Sequence, residues 1–385
     1  VGSVIEVVGV LALDAINTMF RDELRYKGAH GEALEEEFTN PSMVPASVMA
    51  RLHVICFKKL SVMGETSWNP YTSAGFASPT PRCIDAVVRA RDKVLAMRGR
   101  VLSLLTEALG GDTLAATYVL CVLISKVLSR PNKSMVVGKL SVALTHWQSG
   151  GEQGAMNAST DALCEVISNL VPSFRRIPIT PDSLNADRII CRKDYSSDSL
   201  STGWLQVPAG CVVLLDETAM QSGEVTSKGC ESLEALRNML MFQVLQMDFQ
   251  FFQQELDVDI PLLQCCLGPS PLVDKGADLE IPLDFSFTPT ATSDIAQSLL
   301  KDEEGMRVCR AYLAYVRLLQ WEIGDDMPEK CTNDWVAARQ QDQDRPEHRR
   351  HVHQELFGTW LTLARYLGMS KGETAATLEG WDEVR

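Results

Sequence analysis

No long apolar run is present: the longest purely apolar stretch, Val119 to Ile124, is six residues, against roughly 20 needed to cross a bilayer as a helix. A helical membrane span is excluded on length, and no membrane partner is expected. Basic clusters are equally scarce. Short runs such as Lys58-Lys59, Arg175-Arg176 and Arg349-Arg350 sit in a chain whose formal net charge is −14. Tight gripping of duplex DNA requires clustered Lys and Arg that neutralise several phosphates, so strong direct nucleic-acid binding is disfavoured. No C-x-x-C spacing occurs among the eleven cysteines. They read as reduced thiols used as small buried residues in the cytosol or nucleus, not as a disulfide scaffold.

What is present is an ordinary globular composition, with 45% hydrophobic and 22% charged residues over 385 positions, enough for two or three cores. The chain opens on Val1 inside a β-rich run and is read as a piece of a longer protein. Residues 1–62 read as the end of an N-terminal β-rich domain, for which an OB-like barrel is one candidate. Residues 63–83 are rich in Gly, Ser, Thr and Pro and mark a linker. Residues 84–290 alternate helical patterns (84–109, 114–128, 161–170, 231–245) with short apolar strands (139–144, 188–191, 211–215, 247–252, 261–267). That alternation predicts an α/β domain with a largely parallel, two-side-buried sheet. Gly110-Gly111 stops the first helix and Asp112 caps the second. From 291 to 385 the patterns are all helical, at 295–300, 308–321, 333–339 and 355–367.

One run carries chemistry. Cys211-Val212-Val213-Leu214-Leu215 ends in Asp216-Glu217, the form of a Walker B strand, in which an aspartate holds Mg²⁺ and a glutamate polarises the attacking water. A buried strand ending at an acidic turn is the plainer reading of the same residues. The companion phosphate loop, G-x-x-x-x-G-K-[ST], belongs between a strand and a helix. After Leu144 the chain reads Thr145-His146-Trp147-Gln148-Ser149-Gly150-Gly151-Glu152-Gln153-Gly154, with glycines but no lysine. Gly138-Lys139 holds the dipeptide on the wrong side of the strand.

Three core segments, 114–144, 171–192 (VPSFRRIPITPDSLNADRIICR) and 203–217 (GWLQVPAGCVVLLDE), and the tail 360–381 resemble the MCM-binding protein family, in the same order. That family is itself similar to the MCM replicative helicase subunits. The resemblance implies a degenerate AAA+-like (MCM-like) α/β core with a C-terminal helical lid. Residues 203–217 would then hold the Walker B strand and 261–270 the sensor strand, which lacks its asparagine. Ile281-Pro282-Leu283-Asp284-Phe285 stands where an arginine finger is expected. Asp216 and Glu217 become a remnant, with no catalytic residue, cofactor or metal. The implied function is a nuclear, non-enzymatic factor that binds MCM helicase subunits, affects their assembly or removal, and reaches chromatin through MCM. The rival readings are a weak ATPase using Asp216 and Glu217, and a DNA-binding replication factor, which the charge opposes.

Other features have plainer explanations. His348, His351 and His353 read as a solvated helix start; no further ligand except Glu347 completes a metal set. Ser149 and Ser159 near His146 lack a nucleophile elbow. Phe242, Phe249, Phe251 and Phe252 lack interleaved cations and read as core or as a surface shown to a protein partner. Tyr312, Tyr315, Leu318, Leu319 and Trp321 form an apolar helix face, with Trp321 expected at an exposed edge as a partner-contact candidate.

Overall fold

Two segments distant in sequence form the first ladder: β1 (Val4–Ala12) and β2 (Arg51–Leu60) pair antiparallel, Val4 opposite Leu60 and Ala12 opposite Arg51. The register shifts at Val8/Gly9, and a Cβ on Gly9 would lie 2.4 Å from the His53 carbonyl oxygen, so only glycine fits this bulge. The computed structural model describes residues 4–12, 51–60, 91–132, 135–146, 153–186, 188–195, 199–268, 270, 272, 277–283, 300–324, 327–344 and 354–384. The linker at 63–83, the three clustered histidines and most of the glycine loop after His146 lie outside these residues.

Helix α1 (Arg91–Ala108) stops at Gly110 and Gly111, both at positive φ. Asp112 then accepts from Ala115 N at 2.9 Å and caps α2 (Thr113–Ile124), whose last six residues are all buried. The helical pattern predicted through 128 ends at 124 instead. The cause is tertiary: Lys126 N–H donates to the Tyr366 hydroxyl at 3.0 Å and Val127 N–H to Asp259 Oδ1 at 2.9 Å. These acceptors take the amides that another helical turn would have used. The chain then forms a small hairpin, β3 (Ser129–Asn132) with β4 (Met135–Val137), which the sequence pattern did not predict.

The α/β core follows as β5 (Ser141–His146), α3 (Gln153–Leu170), β6 (Phe174–Pro178), α4 (Pro181–Asn185), β7 (Cys191–Asp194), β8 (Ser199–Ser201) and β9 (Val212–Asp216). It continues through α5 (Ser227–Phe242), β10 (Val244–Asp248), β11 (Gln253–Asp257), β12 (Leu262–Leu267) and β13 (Leu279–Pro282). Five strands form one parallel sheet in the order β13-β5-β12-β9-β6. Every residue of β5 and β9 is buried. The strand period of two splits β9 between two cores: Val212 and Leu214 pack with α1, α2 and α3, while Val213 and Leu215 pack with α5. A second sheet, β11-β10-β7-β8, combines two antiparallel pairs through a parallel contact of β10 with β7. It corrects the strands predicted at 188–191 and 247–252, which begin and end at other residues.

The C-terminal part is helical, as predicted: α6 (Glu303–Leu318), α7 (Met327–Asp344), α8 (Gln354–Ser370) and α9 (Leu378–Val384). Asp302 caps α6 by accepting from Gly305 N. Met306, Cys309, Tyr312, Leu313 and Val316 of α6 share one continuous core with α1, α2 and α3, and α8 adds Leu363, Tyr366 and Leu367. A second cluster holds Trp381 among Met327, Cys331 and Ala364, and the Trp381 indole N–H donates to Asp334 at 2.9 Å.

Candidate functional site

The parallel sheet brings the C-terminal ends of β5, β9 and β12 side by side. Asp216 and Glu217 close β9, and both are buried, at 4% and 3% exposure. Glu217 is as buried as Asp216 because its side chain turns toward β12, where it meets Gln264.

Asp216 is saturated with donors. Its Oδ2 accepts from Arg176 Nε at 2.8 Å and Nη2 at 2.7 Å, and its Oδ1 from Thr218 N at 3.0 Å and Oγ1 at 2.6 Å. Arg176 comes from β6, paired to β9 with Arg176 opposite Leu214 and Pro178 opposite Asp216. Its remaining Nη1 donates to Asp161 on α3 at 2.6 Å. Burial pulls the Arg176 guanidinium down, but its hydrogen bonds to Asp161 and Asp216 outweigh that and hold it above the ordinary arginine range. Arg176 therefore bridges a buried and an exposed carboxylate.

Glu217 accepts from Gln264 Nε2 at 2.8 Å, across the β9–β12 boundary, and from Ser270. Burial raises its carboxyl above the usual range, against the lowering effect of the Ser270 and Gln264 hydrogen bonds. The other amide atom, Gln264 Oε1, is buried without a partner. Burial also pushes the neighbouring Cys265 and Cys266 thiols up, so neither supplies a thiolate at neutral pH.

These residues do not fit Mg²⁺. A ligand position on Asp216 opens only by breaking the Arg176 or Thr218 bonds, and the described residues hold no group of three His, Cys, Asp or Glu arranged for a metal. Lys139 sits at the opposite, N-terminal end of β5, where its Nζ bonds Asp278 at 2.5 Å. It is far from the strand ends that a phosphate loop would serve. Ser159 donates its hydroxyl to the Ala108 carbonyl at 2.8 Å, an interhelical bond.

A match to known families follows this geometry. The family model described as "Mini-chromosome maintenance replisome factor" matches residues 1–385. The chain belongs to this family. Among curated relatives, the Mini-chromosome maintenance complex-binding protein of Rattus norvegicus is 30% identical over 387 residues, covering 99% of this chain and 57% of the relative. Its counterpart in Arabidopsis thaliana is 30% identical over 381 residues, covering 99% and 58%, and that in Homo sapiens 28% over 387, covering 99% and 57%. The chain thus spans under two thirds of the length of these relatives.

Trp321 does not lie at an exposed edge. It is only 9% exposed, with the Arg365 guanidinium over its ring at 5.6 Å and its indole nitrogen buried without a partner. Burial against α8 removes the exposed-edge expectation. On the neighbouring helix face Tyr312 is fully buried and donates to Ser370 O at 2.6 Å, whereas Leu318 is exposed. Arg176, Thr218 and Gln264 are the site residues that sequence reasoning missed. Arg176 carried a weak signal, as half of a basic pair, and the pairing of β6 with β9 gives it its role.

The raised Glu217 carboxyl sets a sign for pH. Between its ordinary value of 4.5 and its folded value, the folded chain holds more protons than the unfolded one, so stability falls as pH rises through that window. Glu217→Gln keeps the Gln264 bond and removes the titration. The melting temperature of the variant is therefore expected to gain on the wild type as pH rises above about 4.5 and to hold that gain at neutrality. Melting curves that stay parallel across that range would show that Glu217 is not raised.

Proposed function

We propose that this chain is a non-enzymatic binding factor for MCM helicase subunits. It acts in the nucleus in assembly or unloading of the MCM complex and reaches chromatin through MCM. The relatives' name supplies the partner. The observation that carries the non-enzymatic reading is the closure of Asp216 by Arg176 and Thr218, in a site whose residues do not fit Mg²⁺.

A degenerate AAA+-like core is the architecture that fits best. Strand β12, which carries Gln264, lies between β5, which leads into the glycine loop, and β9, which ends at Asp216, as a sensor strand does in the helicase resemblance. Copies of such a fold associate side by side, so a closed copy can occupy one face of an MCM subunit without completing an ATP site. The weak-ATPase reading requires Asp216 to leave Arg176, and nothing in the geometry favours that.

Isothermal titration with Mg·ATP is expected to give no binding, while a pull-down with purified MCM subunits retains them. Micromolar or tighter Mg·ATP affinity, lost on Asp216→Asn, would restore the enzyme reading.

A further inference from the structure

The turn joining β10 to β11 shows aromatic rings to solvent. Phe251 is 83% exposed and Phe252 58%. Adjacent exposed phenylalanines are unfavourable in water, and a contiguous apolar patch of this kind marks an interaction site. Here the rings are also held in place. Phe249 stacks on Phe252 with centroids 4.9 Å apart and planes within 7°, and Tyr195, just beyond β7, meets Phe251 edge-on at 5.4 Å. The Tyr195 hydroxyl donates to Phe249 O at 3.0 Å. Gln250 takes a left-handed φ of 62°, uncommon for a residue with a Cβ. Its N–H donates to Asp248 Oδ1 at 2.8 Å and its side chain to Lys193 O at 3.3 Å. A turn braced from two strands has its conformation set before any partner arrives, which lowers the entropy lost on docking.

Charge selects the class of partner. Stacking of single-stranded nucleic acid needs cations along the rings to hold phosphates. Strands β7, β10 and β11 carry Arg192 and Lys193 against Asp194, Asp248, Glu255 and Asp257, a net of −2 on those strands. Both cations are engaged: Arg192 pairs with Asp248 and Glu231, and Lys193 lies over the Tyr195 ring at 5.9 Å. A polyanion is repelled here, whereas a protein surface with an apolar cleft and a basic rim is complementary in both shape and sign.

We infer that the Phe251–Phe252 tip is a protein-docking knob, and that its occupant is an apolar cleft rimmed by Lys or Arg on the partner. That the cleft belongs to an MCM subunit rests on the function proposed above; the chemistry of the cleft does not.

The test uses the full chain carrying Phe251→Ala and Phe252→Ala together, measured against purified MCM complex and against an oligothymidine strand. The double variant is expected to melt close to the wild type, because both rings are mostly exposed and their ring contacts are only with Phe249 and Tyr195 of the tip itself, and to bind MCM at least tenfold more weakly, since exposed aromatic anchors dominate such contacts. Wild-type binding should also weaken with added salt. Equal MCM binding by variant and wild type excludes the tip and leaves the MCM-binding reading intact. A wild-type chain that does not bind MCM defeats that reading, and the named occupant with it. Saturable binding of the oligothymidine, lost in the double variant, would overturn the protein-docking knob in favour of a nucleic-acid platform.

Discussion

Arg176→Met is expected to lower stability by about 3 kcal/mol, the low end of the loss seen when one member of a buried pair is removed. The variant leaves the Asp216 carboxylate buried, with Thr218 as its remaining partner and two charge-assisted bonds gone. The loss stays at the low end because the Arg176 side chain is 37% exposed, so water can reach part of the vacated space. Asp161→Asn, at the exposed end of the same bridge, should cost under about 1 kcal/mol, as surface ion pairs do. The comparison separates the two halves of the bridge. Asp216→Asn should fall between them, and binding to MCM should drop only as far as the folded fraction drops. Denaturant midpoints at constant slope read all three. If Arg176→Met and Asp161→Asn cost equally little, Asp216 is not held by Arg176. If Asp216→Asn melts like the wild type yet binds no MCM, the acid belongs to an interface.

Tyr366→Phe should cost about 2 kcal/mol, through backbone groups left without partners. The hydroxyl accepts from Lys126 N at 3.0 Å and lies 2.6 Å from Gly138 O and 3.0 Å from Lys126 O. It has one proton, which suits the shorter bond to Gly138. Burial pushes the phenol up to about 12, against the lowering effect of the Lys126 backbone bond, so it stays neutral and keeps donating across the working pH range. Through this one oxygen α8 holds both the end of α2 and the turn into β5. Gly138 cannot yield there: its φ is +91°, and a Cβ would come within 2.6 Å of Lys126 O. Amide exchange at Lys126 is the specific readout, because its N–H loses its acceptor. Unchanged protection at Lys126 in Tyr366→Phe would show that the hydroxyl does not terminate α2.

Arg176 and Tyr366 both act through contacts that no local pattern announces. A helix running to 128 was a fair reading of apolar spacing alone, since nothing local announces that Tyr366, 240 residues away, takes the Lys126 amide. Strand β6 was missed for a related reason. Its residues Phe174-Arg175-Arg176-Ile177-Pro178 bury only Ile177 fully, the pattern of an edge strand, and two adjacent arginines read as a surface run. Trp321 is followed by Glu322, a setting that suits an exposed edge, yet α8 folds over it.

The sequence by itself determined that the core is an α/β domain, because short, largely apolar runs such as 211–215 and 261–267 alternate with helical patterns, and only a sheet covered on both faces buries such runs. It determined the all-helical C-terminal part from 3.6-residue spacing, the stop at Gly110-Gly111 and the cap at Asp112, all of them local signals. It also determined that Asp216 and Glu217 close a buried strand without a lysine-bearing phosphate loop before it. Only the tertiary structure decided what those acids do. Arg176 reaches Asp216 from 40 residues away and Gln264 reaches Glu217 from 47, through strand pairings that no local pattern encodes. A carboxylate's chemistry depends on which donors surround it in space, and the order of strands in the sheet sets those donors.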